Sequence, residues 1–453
     1  MNLKLLSLSL AAAFLATACG NNQETQKETA QTVIEIPDVK HPEWAKNATI
    51  YEMNIRQYTQ KGDFNSIIPH LPRLKAMGVD IIWVMPINPI GEKNRKGGQG
   101  SYYSVKDYKA INPEYGTMDD FKNFVKAIHA NDMKIIVDWV ANHTAWDHPW
   151  TANKDWYTLD SLGNFKPPVA DWSDVIDLNF DNKDMRKAMI EAMQFWVKEA
   201  DIDGYRCDVA MEVPTDFWND TRFALDSIKP VFMLAEAEQK DHHQKAFDMS
   251  YGWELLHVMN GIAKGEKNLN DLRKYIAKND SVYSNNEYRM NFVTNHDENS
   301  WNGTEYERYK DAVKAYTVLA YTLPGMPLVY SGQENNLNRA LAFFEKDSIS
   351  WGNYENQSFL SKLLLLNKTN PALWNGNDGG KFEEIETDKK EEVLAYKIQK
   401  DDKKVIVVIN FSKKPVEVNL EKISGAYNNV FSGESFGIKG KTKLEANGFL
   451  VLE

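Results

Sequence analysis

The chain has 453 residues, a formal net charge of −11, and 43% hydrophobic and 12% aromatic residues. This composition excludes a disordered or low-complexity protein, and the length allows two or three domains with sizeable cores. The negative charge, without a basic stripe or a glycine-rich phosphate loop, argues against a nucleic-acid partner.

The first eighteen residues have the pattern of a signal peptide. Residues 1–4 include a lysine, residues 5–16 are apolar, and small residues lead to Cys19. The apolar run is short for a membrane span, which favours a cleaved signal over a permanent anchor. Cleavage before Cys19 resembles a bacterial lipoprotein signal and predicts an exported, envelope-bound protein that a lipid on Cys19 attaches to the outer membrane. Simple secretion after cleavage behind Ala18 is the alternative.

Residues 19–42 are expected to form a flexible tether, because residues 20–40 are polar and show no period. The main ordered domain is expected from 43 to 372. Cys207 is the second of only two cysteines, and its neighbours are apolar, so we expect it to be a buried core residue.

Short β-rich runs alternate with amphipathic helical patterns over about three hundred residues. The candidate strands are residues 49–54, 79–85, 134–138, 204–208, 231–235, 247–253, 291–294 and 327–330, of which the sixth is the weakest. The helical patterns include residues 67–77, 118–131, 184–200 and 307–323. Strands that alternate with helices predict a parallel sheet, and eight of them predict a closed (β/α)8 TIM barrel.

Two regions depart from this alternation. Residues 145–180, after the third strand, are rich in tryptophan and proline and predict a short insertion beside the barrel mouth. Residues 373–453 contain short strand patterns at 392–398, 404–410, 415–420 and 448–452. These predict a C-terminal all-β sandwich.

The acids Asp208, Glu236 and Asp297 lie at or just after the ends of three different predicted strands. Arg206 and Asp208 lie two residues apart in a strand and share a face, so the guanidinium favours an ionised carboxylate, as a nucleophile requires. A structural ion pair is the alternative for this segment alone. In a barrel of this type the active site lies at the carboxyl ends of the strands, where all three acids fall.

The motifs around these acids resemble the ordered sequence regions of the α-amylase family of glycoside hydrolases. The matching segments are DWVANH at 138–143, GYRCD at 204–208, LAE at 234–236 and FVTNHD at 292–297. Further similar segments are YSVKDY at 103–108, NPEYG at 112–116, IDLN at 176–179 and GMPLVYSGQE at 325–334. Each is weak alone, but together they occur in the family's order.

The resemblance implies a retaining mechanism on α-glucosidic bonds. Asp208 would be the nucleophile, Glu236 the general acid and base, and Asp297 the group that binds ring hydroxyls and stabilises the distorted sugar. Among the substrate-binding residues, His143 and His296 would hydrogen-bond hydroxyls, and Tyr103 would stack on the ring. Arg206, the fourth of these residues, would keep Asp208 ionised. Asp138 is interpreted as an internal partner of Arg206.

One feature differs from the family pattern, and another leaves calcium binding open. Met211 and Glu212 stand where many members have Lys-His, so binding on the leaving-group side is expected to differ. Asn142 occupies a position that ligates calcium in many α-amylases. No cofactor is needed for the chemistry, and structural calcium stays open because Ca²⁺ takes about six to eight oxygen ligands.

The leading hypothesis is a lipid-anchored hydrolase of mainly α-1,4 bonds in starch, maltodextrins or maltooligosaccharides. An alternative keeps the same residues in an α-glucan transglycosylase, branching or α-1,6-active enzyme. A third hypothesis, a non-catalytic surface glucan-binding lipoprotein, is disfavoured by the presence of all three acids.

Overall fold

The computed structural model describes residues 36–283 and 286–453. The predicted signal peptide, Cys19 and the tether up to residue 35 lie outside the described residues. Eight parallel strands close into a barrel in sequence order, which confirms the predicted fold. The strands are β1 (Ile50–Met53), β2 (Ile81–Val84), β3 (Lys134–Trp139), β4 (Gly204–Cys207), β5 (Phe232–Ala235), β6 (Met249–Tyr251), β7 (Tyr288–Asn291) and β8 (Met326–Tyr330).

The barrel strands are buried along nearly their whole length, which explains why they read as continuous apolar runs. Their register aligns the carboxyl ends at one rim. Asp138 on β3 pairs with Arg206 on β4, and Cys207 on β4 pairs with Ala235 on β5. Asp208 and Glu236 therefore follow directly at neighbouring strand ends.

Helices surround the barrel and connect its strands. They are Ile55–Tyr58, Phe64–Ile67, Leu71–Met77, Met118–Ala130, Lys183–Ala200, Thr215–Asp226, His242–Lys245, Trp253–Lys264, Leu269–Val282, Glu305–Tyr309, Val313–Thr322 and Gln357–Thr369. The single helix predicted at 307–323 is wrong. Two helices, Glu305–Tyr309 and Val313–Thr322, occupy this region, and Lys310, with a φ of 52°, lies between them.

The seventh strand was predicted at 291–294, and these bounds are wrong, because β7 ends at the residue where the predicted strand begins. Arg289 makes the true strand look polar. Its Nη2 lies 2.5 Å from Glu238 Oε1, and its Nη1 donates to Ser250. These partners allow a charged residue in a buried strand.

Two short antiparallel strands, His143–Ala145 and Val175–Asp177, pair with each other at the two ends of the insertion. Its tryptophans pack both on the insertion and on residues beside it, since the Trp150 ring also lies 4.9 Å from that of Tyr108. The Trp146 indole donates to the carbonyl of Ser173 at 3.0 Å, and the rings of Trp150 and Trp156 lie 5.2 Å apart.

The C-terminal region is all-β, as predicted. Its strands are β9 (Lys381–Glu384), β10 (Val393–Lys400), β11 (Lys403–Asn410), β12 (Val416–Asn419), β13 (Gly425–Asn428), β14 (Ser435–Ile438), β15 (Lys441–Leu444) and β16 (Phe449–Leu452). β9, β10, β11 and β16 form one antiparallel sheet, and β12 with β15 and β13 with β14 form two pairs. They enclose a separate apolar core that includes Val408, Val418 and Leu452.

The first described residues contact the amino-terminal face of the barrel. The Val39 amide donates to the Gln244 carbonyl at 2.9 Å, and His41 Nδ1 lies 2.8 Å from Asp248 Oδ1. Residues 36–42, the last part of the predicted tether, therefore pack on the amino-terminal face of the barrel. Within residues 36–283 and 286–453, no helix has both the length and the apolar character of a membrane span.

Candidate active site

Arg206 is the centre of a buried ionic cluster at the carboxyl rim. Its Nη1 donates to Oδ1 of Asp138 and Oδ1 of Asp208, both at 2.9 Å. Its Nη2 lies 2.9 Å from Oε2 of Glu236. The guanidinium is fully buried. One planar cation therefore holds three carboxyl groups together, which a guanidinium does better than an ammonium group.

Burial decides the protonation of this cluster. It raises the pKa of Asp208 to about 6, although the charge of Arg206 opposes the rise. Burial likewise raises the pKa of Asp138 to about 6. For Glu236, burial together with the charges of Asp208 and Asp297 raises the pKa to about 7 against the effect of Arg206. Asp208 is thus the more easily ionised group and Glu236 the better proton donor.

Val209, the residue after Asp208, has a strained backbone and donates a hydrogen bond to Glu236. Val209 has φ 36° and ψ 47°, a left-handed conformation that is costly for a β-branched residue, by about 1–3 kcal/mol. In this conformation its amide donates to Oε2 of Glu236 at 2.8 Å. This hydrogen bond fixes the position of the Glu236 carboxyl group beside Asp208.

A second wall of the site is built by Tyr103, His296 and Asp297. The Tyr103 hydroxyl donates to Asp138 Oδ2 at 3.1 Å and accepts from His296 Nε2 at 2.8 Å. His296 Nε2 also lies 3.3 Å from Asp297 Oδ1. Asp297 is one-third exposed, so it can reach a bound ring.

His296 is held as a cation by a residue on the first barrel strand. Its Nδ1 is paired with Glu52, which is fully buried on β1. Burial disfavours the charged imidazole, but Asp297 and Glu52 outweigh burial and raise the pKa of His296 to about 9. An imidazolium at neutral pH donates from both ring nitrogens, which suits it to bind acceptor oxygens.

His143 begins the short strand His143–Ala145 and differs from His296 in charge. Burial lowers the pKa of His143 to about 4, so the ring is neutral at pH 7. Its ring centroid lies 5.6 Å from that of Trp172. The cluster around Arg206 brings together the other predicted site residues, and His143 lies beyond β3 at its edge.

Asn142, the residue that the sequence analysis connected with calcium, contacts its neighbour His143. Its amide nitrogen lies 3.2 Å from His143 Nδ1. In the described part of the chain, no group of three or more His, Cys, Asp or Glu side chains is arranged to hold a metal ion.

Sequence reasoning missed three buried partners of the cluster. They are Glu52, Trp83, whose indole donates to Asp138 Oδ2 at 3.2 Å, and Tyr251, whose hydroxyl accepts from Arg206 Nε at 3.1 Å. The signal for Glu52 was available, since an acid inside an apolar strand needs a buried partner. Nothing in the sequence distinguished Trp83 or Tyr251 from ordinary core aromatics.

A cavity of about 630 Å³ lies elsewhere, between helix Leu269–Val282 and the start of the C-terminal region. None of the three proposed acids lines it. The ionic cluster, and not this cavity, therefore marks the candidate active site.

The sequence matches the family model for the α-amylase catalytic domain over residues 23–172 and 169–391. The chain belongs to the α-amylase family of glycoside hydrolases. It is an α-amylase-type glycosidase, and residues 382–451 also match the model for the maltogenic amylase C-terminal domain. The family model thus covers the barrel and the second model covers the C-terminal strands.

Individual family members resemble this α-amylase-type chain over most of its length. The α-amylase MalA of Haloarcula japonica is 27% identical over 412 residues, which is 85% of this chain and 59% of that longer relative. The crystal structure of an α-amylase from Lactobacillus plantarum has a TM-score of 0.82 and 27% identity, and the match covers 90% of this chain and 99% of that one. That of a noncanonic maltogenic α-amylase from Thermotoga neapolitana has a TM-score of 0.81 and 30% identity, with the same coverage.

Proposed function

We propose that the protein is a retaining hydrolase of α-glucosidic bonds, mainly α-1,4, in starch, maltodextrins or maltooligosaccharides. The observation that supports this most is the shared contact of Arg206 with Asp208 and Glu236. A retaining pair of carboxyl groups lies about 5–5.5 Å apart, and one guanidinium that binds both keeps them close.

The proposed reaction has two steps. Asp208 attacks the anomeric carbon and forms a covalent glycosyl-enzyme, while the bond to the leaving oxygen breaks and Glu236 gives that oxygen its proton. Glu236, now a carboxylate, then takes a proton from water as the water oxygen attacks the same carbon. The bond to Asp208 breaks, and both groups return to their starting states.

The second wall would bind the sugar that reacts. Asp297 and the His296 imidazolium lie side by side, so together they can accept from and donate to neighbouring hydroxyls of one ring. Tyr103 presents an aromatic face on which the ring can stack. His143, neutral and buried, would donate a single hydrogen bond to a hydroxyl at the edge of the site.

A product profile on soluble starch, pullulan and maltoheptaose tests this function. We expect shorter maltooligosaccharides from starch and maltoheptaose, little release from α-1,6 bonds, and the α-anomer as the first product. Asp208→Asn should reduce these rates by several orders of magnitude. Release of the β-anomer, or an Asp208→Asn variant as active as the wild type, would reject the proposal.

Transfer to a sugar acceptor is a second candidate function, which the leaving-group side favours. Met211 is 40% exposed beside the Asp208 strand end, at the position where the family pattern described above leads to the expectation of a lysine. An apolar side chain there suits a sugar face better than water. Products longer than maltoheptaose in the same experiment would establish transfer.

We also propose that the protein is exported and attached to the outer membrane by a lipid on Cys19. Support comes from the sequence pattern of residues 1–19. Metabolic labelling with a fatty-acid analogue should modify the wild type but not a Cys19→Ala variant. Labelling that persists in the variant, or none in the wild type, would reject the anchor.

A further inference from the structure

An aromatic surface continues from the catalytic centre on the Asp297 side. The rings of Tyr103 and Phe343 are nearly parallel, 8° apart in plane, with centroids at 6.3 Å. Phe343 in turn lies 5.3 Å from Trp301. We call these three side chains the aromatic rim. A single exposed apolar side chain is ordinary, but this series begins at a residue of the site and ends at Trp301, which is 58% exposed.

The rim is fixed in place by the loops that carry it. Asn299, two residues before Trp301, donates to the Arg339 carbonyl at 3.0 Å and accepts from the Leu341 amide at 2.9 Å. On the other side of Phe343, the Gln99 amide donates to the Phe344 carbonyl at 2.9 Å. Loops after β2, β7 and β8 are thus joined to one another, and the rings are held before any ligand binds.

The position of the rim relative to Glu236 indicates which part of a substrate it meets. Glu236 follows β5 and would protonate the leaving oxygen, so the leaving part of a glucan must extend toward β4 and β5. Tyr103, Phe343 and Trp301 follow β2, β8 and β7 instead. The part of the chain that stays on the enzyme must therefore pass over the rim.

We propose that Phe343 and Trp301, the part of the aromatic rim beyond Tyr103, bind the glucose units next to the reacting sugar on its non-leaving side, with Trp301 as the outermost platform. This rests on the proposed function. The faces of glucose rings carry C–H groups, which pack on the electron-rich face of an aromatic ring. The rim would therefore select glucans with at least two units on the non-leaving side.

The test compares kcat/KM on maltoheptaose and on maltose in wild type, Trp301→Ala and Trp301→Phe. Stacking of this kind corresponds to about tenfold in affinity. We expect Trp301→Ala to lower kcat/KM on maltoheptaose by about tenfold and on maltose much less, and Trp301→Phe to restore most of the loss. Phe223→Ala is the matched control, because Phe223 is 40% exposed on helix Thr215–Asp226, away from the site. It should leave both substrates unchanged.

Calorimetric binding of maltoheptaose to Asp208→Asn, with and without Trp301→Ala, separates this inference from the proposed function. Loss of affinity only with Trp301→Ala supports the rim even if the wild type hydrolyses nothing. Equal affinities, or a Trp301→Ala effect that is the same on both substrates, would overturn the rim while hydrolysis by the wild type stood. Absence of both binding and hydrolysis would reject the two proposals together.

Discussion

Nη2 of Arg206 lies 2.9 Å from Oε2 of Glu236, so the group that would give a proton is next to a permanent cation. The Val209 amide donates to the same oxygen. Both contacts favour the ionised carboxylate. The pKa of Glu236 is nevertheless about 7, because burial and the negative charges of Asp208 and Asp297 raise it. Because both contacts use Oε2, the transferable proton is assigned to Oε1.

Arg206→Lys tests the need for a planar cation. Lysine keeps the charge, but a single ammonium cannot hold Asp138, Asp208 and Glu236 in their present positions. A misplacement of this kind costs about 100-fold in rate, and we expect at least that loss in kcat on maltoheptaose. Circular dichroism and thermal melting should show a folded variant. Activity within fivefold of the wild type would contradict the need for the planar guanidinium of Arg206.

The pH dependence of kcat/KM should be bell-shaped. Activity needs Asp208 ionised and Glu236 protonated, so it should rise as pH passes the Asp208 pKa of about 6 and fall above the Glu236 pKa of about 7. Since the two groups interact, the apparent values belong to the pair. Rates from pH 4 to 9 provide the measurement, and Glu236→Gln should lack the alkaline fall. A profile that is flat between pH 5 and 9 would be inconsistent with this pair.

Glu52→Gln should weaken the charge on His296. The substitution removes one of the two carboxylates that raise the pKa of His296 to about 9, so that pKa should fall toward its ordinary value of about 6.5. NMR titration of the His296 ring would measure the change directly. Glu43→Gln is the control, since the Glu43 side chain is 86% exposed at the surface. An unchanged His296 titration would show that Glu52 does not hold the charge.

The same pair makes a prediction about stability with a definite sign. The folded pKa of His296 lies above its unfolded value, so its contribution is complete below about pH 6.5 and is lost as pH rises through about 9. The free energy of unfolding of the wild type should therefore decrease over this range more than that of Glu52→Gln. Urea melts at pH 6 and 9 compare the two proteins, and equal decreases would be evidence against the linkage.

Gly204→Ala should prevent normal folding. Gly204 has φ 152°, and a Cβ at this position would lie 1.9 Å from the Phe232 carbonyl oxygen. The strand backbone cannot give way, so we expect a loss of about 4 kcal/mol or more in the free energy of unfolding. Gly265→Ala is the matched control, with φ 80° and no described atom within 4 Å; it should cost about 1 kcal/mol. Equal costs for the two variants would contradict the steric explanation.

Removal of divalent metal should leave activity and melting temperature unchanged, because among the described residues no three His, Cys, Asp or Glu side chains are grouped to hold a metal ion. Incubation with EDTA followed by assay on starch measures this. Loss of activity that added Ca²⁺ restores would show a calcium site that the described side chains do not form.

The sequence was sufficient to predict the barrel because its strands are buried on both faces and its acids follow strand ends. It failed where buried polar groups are balanced by partners that are distant in sequence. The charged residue Arg289 made the bounds of β7 hard to predict. The pairing of Glu52 with His296 could not be predicted, because the two residues are 244 positions apart in the sequence. Such pairings exist only once the barrel is closed, and local patterns contain no record of them.

The C-terminal strands show a different limit. The predicted strands at 392–398, 404–410 and 448–452 carry apolar residues and were found close to their observed bounds. β9, β13, β14 and β15 were missed, because most of their side chains are exposed or only half-buried. Their strand form depends on backbone pairing with neighbours, to which hydrophobic patterns are insensitive.

The cluster around Arg206 has a consequence for inhibitors. Five carboxyl groups (Glu52, Asp138, Asp208, Glu236 and Asp297) share the pocket with two cations, Arg206 and His296. A pocket with this acidic surplus favours a ring that has gained positive charge over a neutral one of the same shape. Iminosugars, in which a basic nitrogen replaces an atom of the glucose ring, therefore match the electrostatics of the site better than glucose itself.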